Sequence, residues 1–284
     1  SLIRLSGITR TREGHYFRFA AEKDAFMPLQ LPSVVEGYES CKLVILSSAV
    51  SEMLNENQSH ALAELVSKRG AGLIFLGLEQ SWDSIAANGA LASLLPVKVS
   101  KGGKTASTVV AGFDVTPLGQ GVFSRPLGGG ERVDTTPIQS MVAPGALDRS
   151  RTRLFLTNVM KQLDFKAGAQ VLARSVPDPG RETEKHPFII MQRVGNGRVA
   201  LVNGENIWRL RMGSESHRME YDRFWRRFVR YMASEDSQSV RILFPEGLPE
   251  APGELNLSLE LLDPVLLAKE VPIEVKVALE AEGS

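Results

Sequence analysis

The sequence contains few residues that form disulfides or bind metals. Cys41 is its single cysteine, which excludes an internal disulfide and any metal site built from several cysteines. The four histidines, His15, His60, His186 and His217, include no pair with the H-x-x-x-H spacing of a helical zinc site. We therefore predict neither a metal nor another cofactor.

The chain also lacks a charge excess and a long apolar run. Lys and Arg together number 33, as do Asp and Glu, whereas a general nucleic-acid-binding protein normally has a basic excess. No uninterrupted apolar stretch approaches the roughly 20 residues of a membrane-spanning helix, and the sequence shows no signal peptide. We expect a soluble piece of a larger protein, without a nucleic-acid partner, that meets a membrane only through segments outside this sequence.

The clearest pattern in the first half of the chain is a strand, a helix and a second strand. Residues 43–46 form a short apolar run, which is typical of a buried parallel strand. Asn55, with Gln58 three residues later, predicts the start of a helix, and Gly70 predicts its end. A second apolar run, residues 72–76, completes a βαβ unit, and this unit predicts a parallel sheet.

The second half of the chain alternates between strand and helix patterns. Residues 84–96 predict one short helix, residues 97–150 predict extended segments and loops, and residues 168–176 predict a strand. A β-hairpin is expected around the turn sequence Gly195-Asn196-Gly197, which suits positive φ angles. Apolar residues at helical spacing predict a long helix near residues 221–232.

These patterns predict an α/β domain at residues 1–235, with a mostly parallel sheet flanked by helices. The residue pattern changes after residue 234, where two segments alternate polar and apolar residues and are separated by prolines. Such alternation is typical of a half-exposed antiparallel sheet. We predict that residues 236–284 are a small β-rich segment, the start of an immunoglobulin-like domain that is truncated before completion.

Three short motifs follow one another between residues 187 and 233. They are an R-x-G-x-G-R-V hairpin, a W-R-x-R-x-G loop and an R-F-W-R-x-x-V-R helix. Their residues are Arg193, Gly195, Gly197, Arg198 and Val199; Trp208, Arg209, Arg211 and Gly213; and Arg223, Phe224, Trp225, Arg226, Val229 and Arg230. This series resembles the glutamine amidotransferase-like domain of large bacterial envelope proteins, and the resemblance covers most of residues 40–235.

This resemblance implies a flavodoxin-like α/β fold that is related to class I glutamine amidotransferases. It also implies a membrane-associated parent protein of the bacterial cell envelope. The expected partners are other domains of that parent, immunoglobulin-like domains among them, or other envelope proteins. The family has no defined reaction, because its name is inherited from the fold relationship.

The resemblance also places the nucleophile turn of a class I glutaminase at residues 77–81. Such an enzyme needs a cysteine thiolate in this turn and a histidine after a late strand. Here the turn presents Glu79, whose carboxylate would form an unfavourable anhydride. Asn203-Gly204-Glu205-Asn206 follows the late strand without a histidine, and Cys41 precedes a strand at the end opposite the expected cleft. We therefore predict no glutaminase activity.

Glu79 and Glu205 are the candidate catalytic residues. Each follows the carboxyl end of a predicted strand, where cleft residues gather in open α/β sheets, so together they would form an acid–base pair or hold a cation. In the alternative, which we favour, Glu79 caps the following helix or pairs with an arginine such as Arg209 or Arg211. Further candidates for binding are the polar neighbours Gln80, Ser81 and Asn206.

Trp208, Arg209 and Arg211 are the remaining candidate binding residues. As a functional site they would form a stacking and anion-binding surface. As a structural loop, which we favour, Trp208 would pack on the sheet and the arginines would pair with nearby carboxylates. The arginines of the last long helix are expected to form a solvated face, or a face that meets another domain.

The function that these observations predict is a non-catalytic binding or scaffolding module of a larger envelope protein. The alternative is a hydrolase of unknown substrate that uses Glu79 and Glu205. A cleft that holds both carboxylates would favour the hydrolase.

Overall fold

The protein is described from a computed structural model. It describes residues 6–10, 16–20, 31–38, 41–47, 54–103, 106–123, 138, 140–142, 157–177, 184–212, 214–234, 240–243 and 258–261. The chain divides into two compact units, Ser1–Glu235 and Asp236–Ser284. Within the described ranges, no helix has the length and apolar character needed to cross a membrane.

The first unit contains both strands and helices. The strands are β1 Ser6–Arg10, β2 Tyr16–Ala20, β3 Leu43–Ser47, β4 Gly72–Leu76, β5 Ser107–Val115, β6 Ser140–Val142, β7 Thr157–Met160, β8 Gln170–Pro177, β9 Pro187–Val194 and β10 Gly197–Val202. The α-helices are α1 Glu56–Ser67, α2 Trp82–Ala87, α3 Gly89–Leu94, α4 Pro117–Phe123 and α5 Glu215–Ala233, and the 3-10 helices are Val35–Tyr38 and Ile207–Met212.

The second unit contains an antiparallel pair of strands, β11 Val240–Leu243 and β12 Ser258–Leu261. The segments around residues 273–280, which alternate in the sequence, lie outside the described residues. The immunoglobulin-like identity of this unit therefore stays a prediction.

The main sheet of the first unit is mixed. Its strand order is β3-β4-β10-β9-β8-β5-β6, and β7 pairs with the first half of β5. Strands β3, β4 and β10 are parallel, whereas the other five of the seven described pairs are antiparallel. The prediction of a mostly parallel sheet is therefore wrong. The predicted hairpin of β9 and β10 is present, but β8 and β5 continue its antiparallel pairing. An apolar strand buried on both faces does not reveal its direction, which is why these pairs were not predicted.

The βαβ unit agrees closely with the sequence patterns. The Asn55 side chain accepts a hydrogen bond from the Gln58 backbone N–H at 2.9 Å, and the Gln58 side chain accepts one from the Asn55 N–H at 3.0 Å. This reciprocal capping box starts α1. Gly70 has a φ of 79° just beyond the helix end. β4 has the predicted bounds, and β3 is one residue longer than predicted.

Two helical predictions are wrong. Residues 84–96 do not form one helix, because the Asn88 side chain accepts a hydrogen bond from the Leu91 N–H at 3.1 Å and starts a separate helix, α3. Helix α4 lies within residues 97–150, where the sequence predicted only extended segments and loops. Its start is capped by the Thr116 hydroxyl, which accepts a hydrogen bond from the Gly119 N–H at 3.1 Å.

The sheet separates two apolar cores. Helix α5 covers one face with Phe224 and Phe228, whose rings pack against the Phe123 ring at centroid distances of 5.1 and 5.6 Å. Helices α1, α2 and α3 cover the other face. Successive residues of β4 and β10 alternate between these two cores, which explains why both strands read as continuous apolar runs.

The last turn of α5 rests on the amino ends of β4 and β10. Arg198 is buried, with only 8% of the residue exposed. Its guanidinium donates hydrogen bonds to the carbonyls of Tyr231 at 2.9 Å and Ser234 at 3.1 Å. Gly72 faces the Met232 carbonyl so closely that a Cβ on Gly72 would lie 2.2 Å from that oxygen. Arg198 therefore satisfies the end of the helix, and Gly72 allows the close approach.

Candidate functional site

The turn after β4 approaches the loop after β10 at the carboxyl edge of the parallel strands. Gly77 has a φ of 60°, and its N–H donates a hydrogen bond to the Val202 carbonyl at 3.0 Å. A Cβ on Gly77 would lie 3.0 Å from the Glu205 Cγ atom. Glycine suits this position because it adopts a positive φ without strain and has no Cβ to crowd Glu205.

Glu205 contacts this turn directly. Its Oε1 accepts a hydrogen bond from the Gln80 backbone N–H at 3.3 Å, and its Oε2 accepts one from the Gln80 side-chain amide at 3.3 Å. Glu79 is the preceding residue, so both candidate carboxylates belong to the same small region. The structure thereby brings together three of the residues that the sequence singled out.

Glu79 has a partner that the sequence analysis did not anticipate. Its Oε1 accepts a hydrogen bond from the Ser107 hydroxyl at 2.8 Å, and Ser107 is the first residue of β5. The next helix, α2, has Ser81 and not Glu79 at its N-cap position. The predicted capping role of Glu79 is therefore wrong. The signal in the sequence was weak, since a serine at the start of a distant strand has no recognisable relation to the turn.

Strand β7 and Asn203 fix the loop that carries Glu205. The Asn158 carbonyl of β7 accepts a hydrogen bond from the Glu205 N–H at 3.0 Å. The buried Asn203 amide donates to the carbonyls of Met160 at 2.9 Å and Pro187 at 2.8 Å, and its Oδ1 accepts from the Met160 N–H at 3.2 Å. Asn203 thereby joins three segments of backbone immediately before Glu205.

Ser81 is buried at the end of the turn. It is 4% exposed, and its hydroxyl has no hydrogen-bond partner among the described residues. It stands at the N-cap position of α2 without making a side-chain capping bond. A buried hydroxyl in this state costs stability. The predicted binding role of Ser81 would require the turn to move, because the hydroxyl is inaccessible in this arrangement.

We expect Ser81→Ala to raise the free energy of unfolding by about 1 kcal/mol, because it removes an unsatisfied buried group. Urea denaturation followed by tryptophan fluorescence measures this change. Ser59→Ala is the matched control, since the Ser59 hydroxyl is equally buried but bonds to the Asn55 carbonyl at 3.0 Å and to the Asn88 amide at 2.8 Å. The control should lower stability, and the same sign for both variants would contradict the prediction.

Asn206 follows Glu205 directly before the 3-10 helix, and Trp208 lies on that helix. Asn206 is exposed, has a φ of 59°, and accepts a hydrogen bond from the Arg209 N–H at 2.9 Å through its carbonyl. Trp208 is 52% exposed, so the prediction that it packs on the sheet is wrong. The Arg209 guanidinium lies over its ring at 5.7 Å from the centroid, a distance at which cation–π attraction operates.

Arg211 pairs with a carboxylate, as the structural alternative predicted. Its guanidinium donates two hydrogen bonds to Asp222 of α5, at 2.7 and 3.1 Å. These bonds hold the pKa of the Asp222 carboxyl below its usual range and raise the pKa of Arg211. Both side chains are substantially exposed, so the pair contributes little to stability. It nevertheless joins the 3-10 helix to α5 by two hydrogen bonds.

Cys41 lies at the opposite edge of the sheet, before the amino end of β3, as predicted. Its thiol donates a weak hydrogen bond to the Leu43 carbonyl at 3.4 Å, and burial raises its pKa. It borders a cavity of about 160 Å³ with Tyr38, Lys42 and Arg69. A thiol with a raised pKa is a poor nucleophile at neutral pH, and this one is separated from the turn by the length of the strands.

The described histidines are held by local contacts. His60 lies on the surface of α1 with Nε2 3.8 Å from Glu56, and His217 bonds to the Ser214 hydroxyl at 2.7 Å. His186 is buried, and its Nδ1 lies 3.1 Å from the Lys161 carbonyl. His15 lies outside the described residues.

His186 lies near the same edge of the sheet as Glu205. It immediately precedes β9, and β9 runs antiparallel to β10. The residues before β9 therefore reach the edge at which β10 ends, and the Asn203 amide contacts the Pro187 carbonyl at 2.8 Å. The predicted hairpin of β9 and β10 therefore brings His186 to this edge, although the sequence analysis did not draw that consequence from it.

The chemistry available at this edge comes from two carboxylates, an amide and a hydroxyl. Glu79 and Glu205 each accept hydrogen bonds from protein donors. In the described part of the chain, no group of three or more His, Cys, Asp or Glu side chains is placed to hold a metal ion.

In comparisons with known proteins, no family model and no curated protein matches this chain. Two of the solved structures that are similar to it come from Salmonella typhimurium. The cytoplasmic protein STM1381 of Salmonella typhimurium LT2 is 15% identical, with a TM-score of 0.42 over 81% of this chain and 93% of that one. The cytoplasmic protein STM3548 of Salmonella typhimurium is 12% identical, with a TM-score of 0.45 over 81% of this chain and 95% of that one.

Proposed function

We propose that residues 1–235 are a non-catalytic, glutamine amidotransferase-like domain that serves as a binding or scaffolding module of a larger bacterial envelope protein. The observation that supports this most is the turn after β4. It carries Glu79, hydrogen-bonded to Ser107 at 2.8 Å, where glutamine hydrolysis needs a thiolate. Cys41, the single cysteine, lies before the amino end of β3.

The finer fold assignment belongs to the same proposal. A flavodoxin-like relationship is supported by the unit β3–α1–β4 and by the parallel pairing of β10 with β4. The antiparallel strands beyond β10 are then an extension of that arrangement. The envelope location and the immunoglobulin-like character of residues 236–284 rest on the sequence resemblance and on the alternating pattern.

The proposal is tested by incubating the full chain with glutamine and measuring ammonia. We expect no release above the buffer rate at any protein concentration. Release that increases in proportion to the protein and disappears in Cys41→Ser would overturn the proposal. The same measurement on Glu79→Gln shows whether the turn contributes to any background rate.

A second candidate, a hydrolase, is favoured by one observation. Glu79 and the partner of Glu205 are consecutive residues of one turn, so the two carboxylates share one small region. Two neighbouring carboxyl groups can act as the general acid and the general base of a hydrolysis. For this candidate we propose a saccharide or a peptide of the envelope as the substrate class.

For the hydrolase candidate we expect Glu79→Gln to abolish any activity found in a panel of chromogenic glycosides and peptides. The melting temperature should change little, because the glutamine carbonyl can still accept the Ser107 hydrogen bond. Glu56→Gln, an exposed change on α1, is the control and should leave the rate unchanged. An unaltered rate in Glu79→Gln would exclude Glu79 as the catalyst.

A further inference from the structure

Exposed apolar side chains are concentrated in one short part of the chain. Six large apolar residues are exposed among those described, and three of them lie between residues 208 and 219. They are Trp208, Met212 and Met219, with exposures of 52%, 62% and 57%. Single exposed apolar residues are ordinary, whereas a concentration of them marks an interaction surface.

The two segments that carry these side chains are joined. Ile207 and Leu210 of the 3-10 helix are buried in the domain, and Arg211 binds Asp222 of α5 at 2.7 and 3.1 Å. Met212 follows Arg211, and Met219 lies one helical turn before Asp222, so the ion pair holds both segments together. The burial of Ile207 and Leu210 anchors the 3-10 helix, so this surface loses little conformational entropy when a partner binds.

The same part of the chain is strongly basic. The whole chain has equal numbers of basic and acidic residues, 33 of each, but residues 208–230 contain seven arginines against three acidic residues. Arg209 lies over the Trp208 ring, and Arg226 is exposed on the outer face of α5, two turns after Met219. Residues 208–230 therefore combine exposed apolar side chains with an excess of four positive charges.

We propose that this surface, which we call the Trp208 surface and define by Trp208, Arg209, Met212, Met219 and Arg226, binds an acidic protein segment that also carries apolar side chains. The inference names the partner class of the binding module and so rests on the proposed function. The arginines attract acidic residues of the partner by charge complementarity. Trp208, Met212 and Met219 offer apolar contacts to its apolar side chains. Trp, Met and Arg are the residue types enriched in protein interfaces.

The structure favours a protein segment over a lipid surface. A helix that lies in a membrane interface must bury its apolar face in lipid, but Phe224 and Phe228 of α5 are already buried in the domain core. The acidic residues Glu215, Glu220 and Asp222 lie among the arginines, and they would oppose a dense array of phosphates. A segment with spaced carboxylates and apolar side chains fits this mixed pattern better.

The test uses the full chain and a fluorescein-labelled synthetic peptide of sequence GELEELLEELG. We expect micromolar binding by anisotropy, with a blue shift of tryptophan emission, because Trp208 is the most exposed tryptophan while Trp82 is buried and Trp225 half-buried. Peptides with lysine in place of every glutamate, or serine in place of every leucine, should bind at least about tenfold more weakly.

Substitutions locate the binding. Met212→Ser and Arg226→Glu should each weaken binding of the acidic peptide about tenfold. Val34→Ser and Lys101→Glu, two exposed changes outside the Trp208 surface, are the controls and should leave it unchanged.

Three outcomes would overturn the proposal. They are no binding of the acidic peptide up to about 1 mM, equal binding of the lysine peptide, and tighter binding to vesicles of equal parts phosphatidylcholine and phosphatidylglycerol. These outcomes leave the proposed function standing, because ammonia release from glutamine tests that separately.

Discussion

Gly72→Ala should lower the free energy of unfolding by about 3 kcal/mol. The new methyl group would lie 2.2 Å from the Met232 carbonyl oxygen and 2.8 Å from its carbonyl carbon. Both atoms are backbone, so β4 and the last turn of α5 must separate for the methyl group to fit. Because Trp82, Trp208 and Trp225 all lie in the first unit, tryptophan fluorescence during urea denaturation reports the stability of that unit.

Gly89→Ala is the matched control for this experiment. A Cβ on Gly89, at the start of α3, has nothing within 4 Å. Alanine is also the better helix former, so we expect this variant to be more stable by about 0.5 kcal/mol. Equal destabilisation by both alanines would mean that the close contact of Gly72 with α5 is unimportant.

Asn203→Leu should have an effect of similar size, about 3 kcal/mol of lost stability. Leucine has nearly the same shape, but it leaves the Met160 N–H, the Met160 carbonyl and the Pro187 carbonyl without the bonds that Asn203 makes at 2.8 to 3.2 Å. These backbone groups would remain buried and unsatisfied. The free energy of unfolding from urea denaturation measures the loss.

Asn158→Leu provides the comparison, since Asn158 is exposed and contributes its backbone carbonyl to Glu205. We expect a change within about 0.5 kcal/mol for this substitution. If Asn203→Leu were equally harmless, Asn203 would not be the residue that holds β7, β9 and the end of β10 together.

The sequence predicted best where local chemistry decides the structure. The capping box of Asn55 and Gln58 begins α1, the apolar run at residues 72–76 is β4, and Gly195 turns the hairpin with a φ of 58°. Each of these features depends on residues within a few positions of one another. The apolar spacing of α5 likewise places Phe224 and Phe228 in the core.

The sequence predicted poorly where distant segments decide the structure. A continuous apolar strand indicates that both of its faces are buried. Parallel and antiparallel strands are both buried in this way when helices cover both sides of the sheet. The directions of β8 and β5 therefore could not be read from their composition, whereas the hairpin turn gave that of β9.

The candidate site shows the same limit. The positions of Glu79 and Glu205 follow from the ends of β4 and β10, and both were predicted to share an edge. Their partners, Ser107 and Gln80, depend on how β5 and the turn meet that edge. Trp208 was expected on the sheet, but Ile207 and Leu210 occupy the buried positions of its short helix, which leaves the larger ring outside.

The position of β10 has a consequence for folding. β4 pairs with β10 through Arg198 and Gly72 up to Val202 and Leu76, so more than a hundred residues separate the partners of a central pair. During synthesis on the ribosome, β4 must wait with one edge unpaired until the hairpin of β9 and β10 emerges. Such long-range pairing is intrinsically slow and exposes apolar edges to other nascent chains. Cellular yield should therefore depend on protection by chaperones more than the native stability alone would suggest.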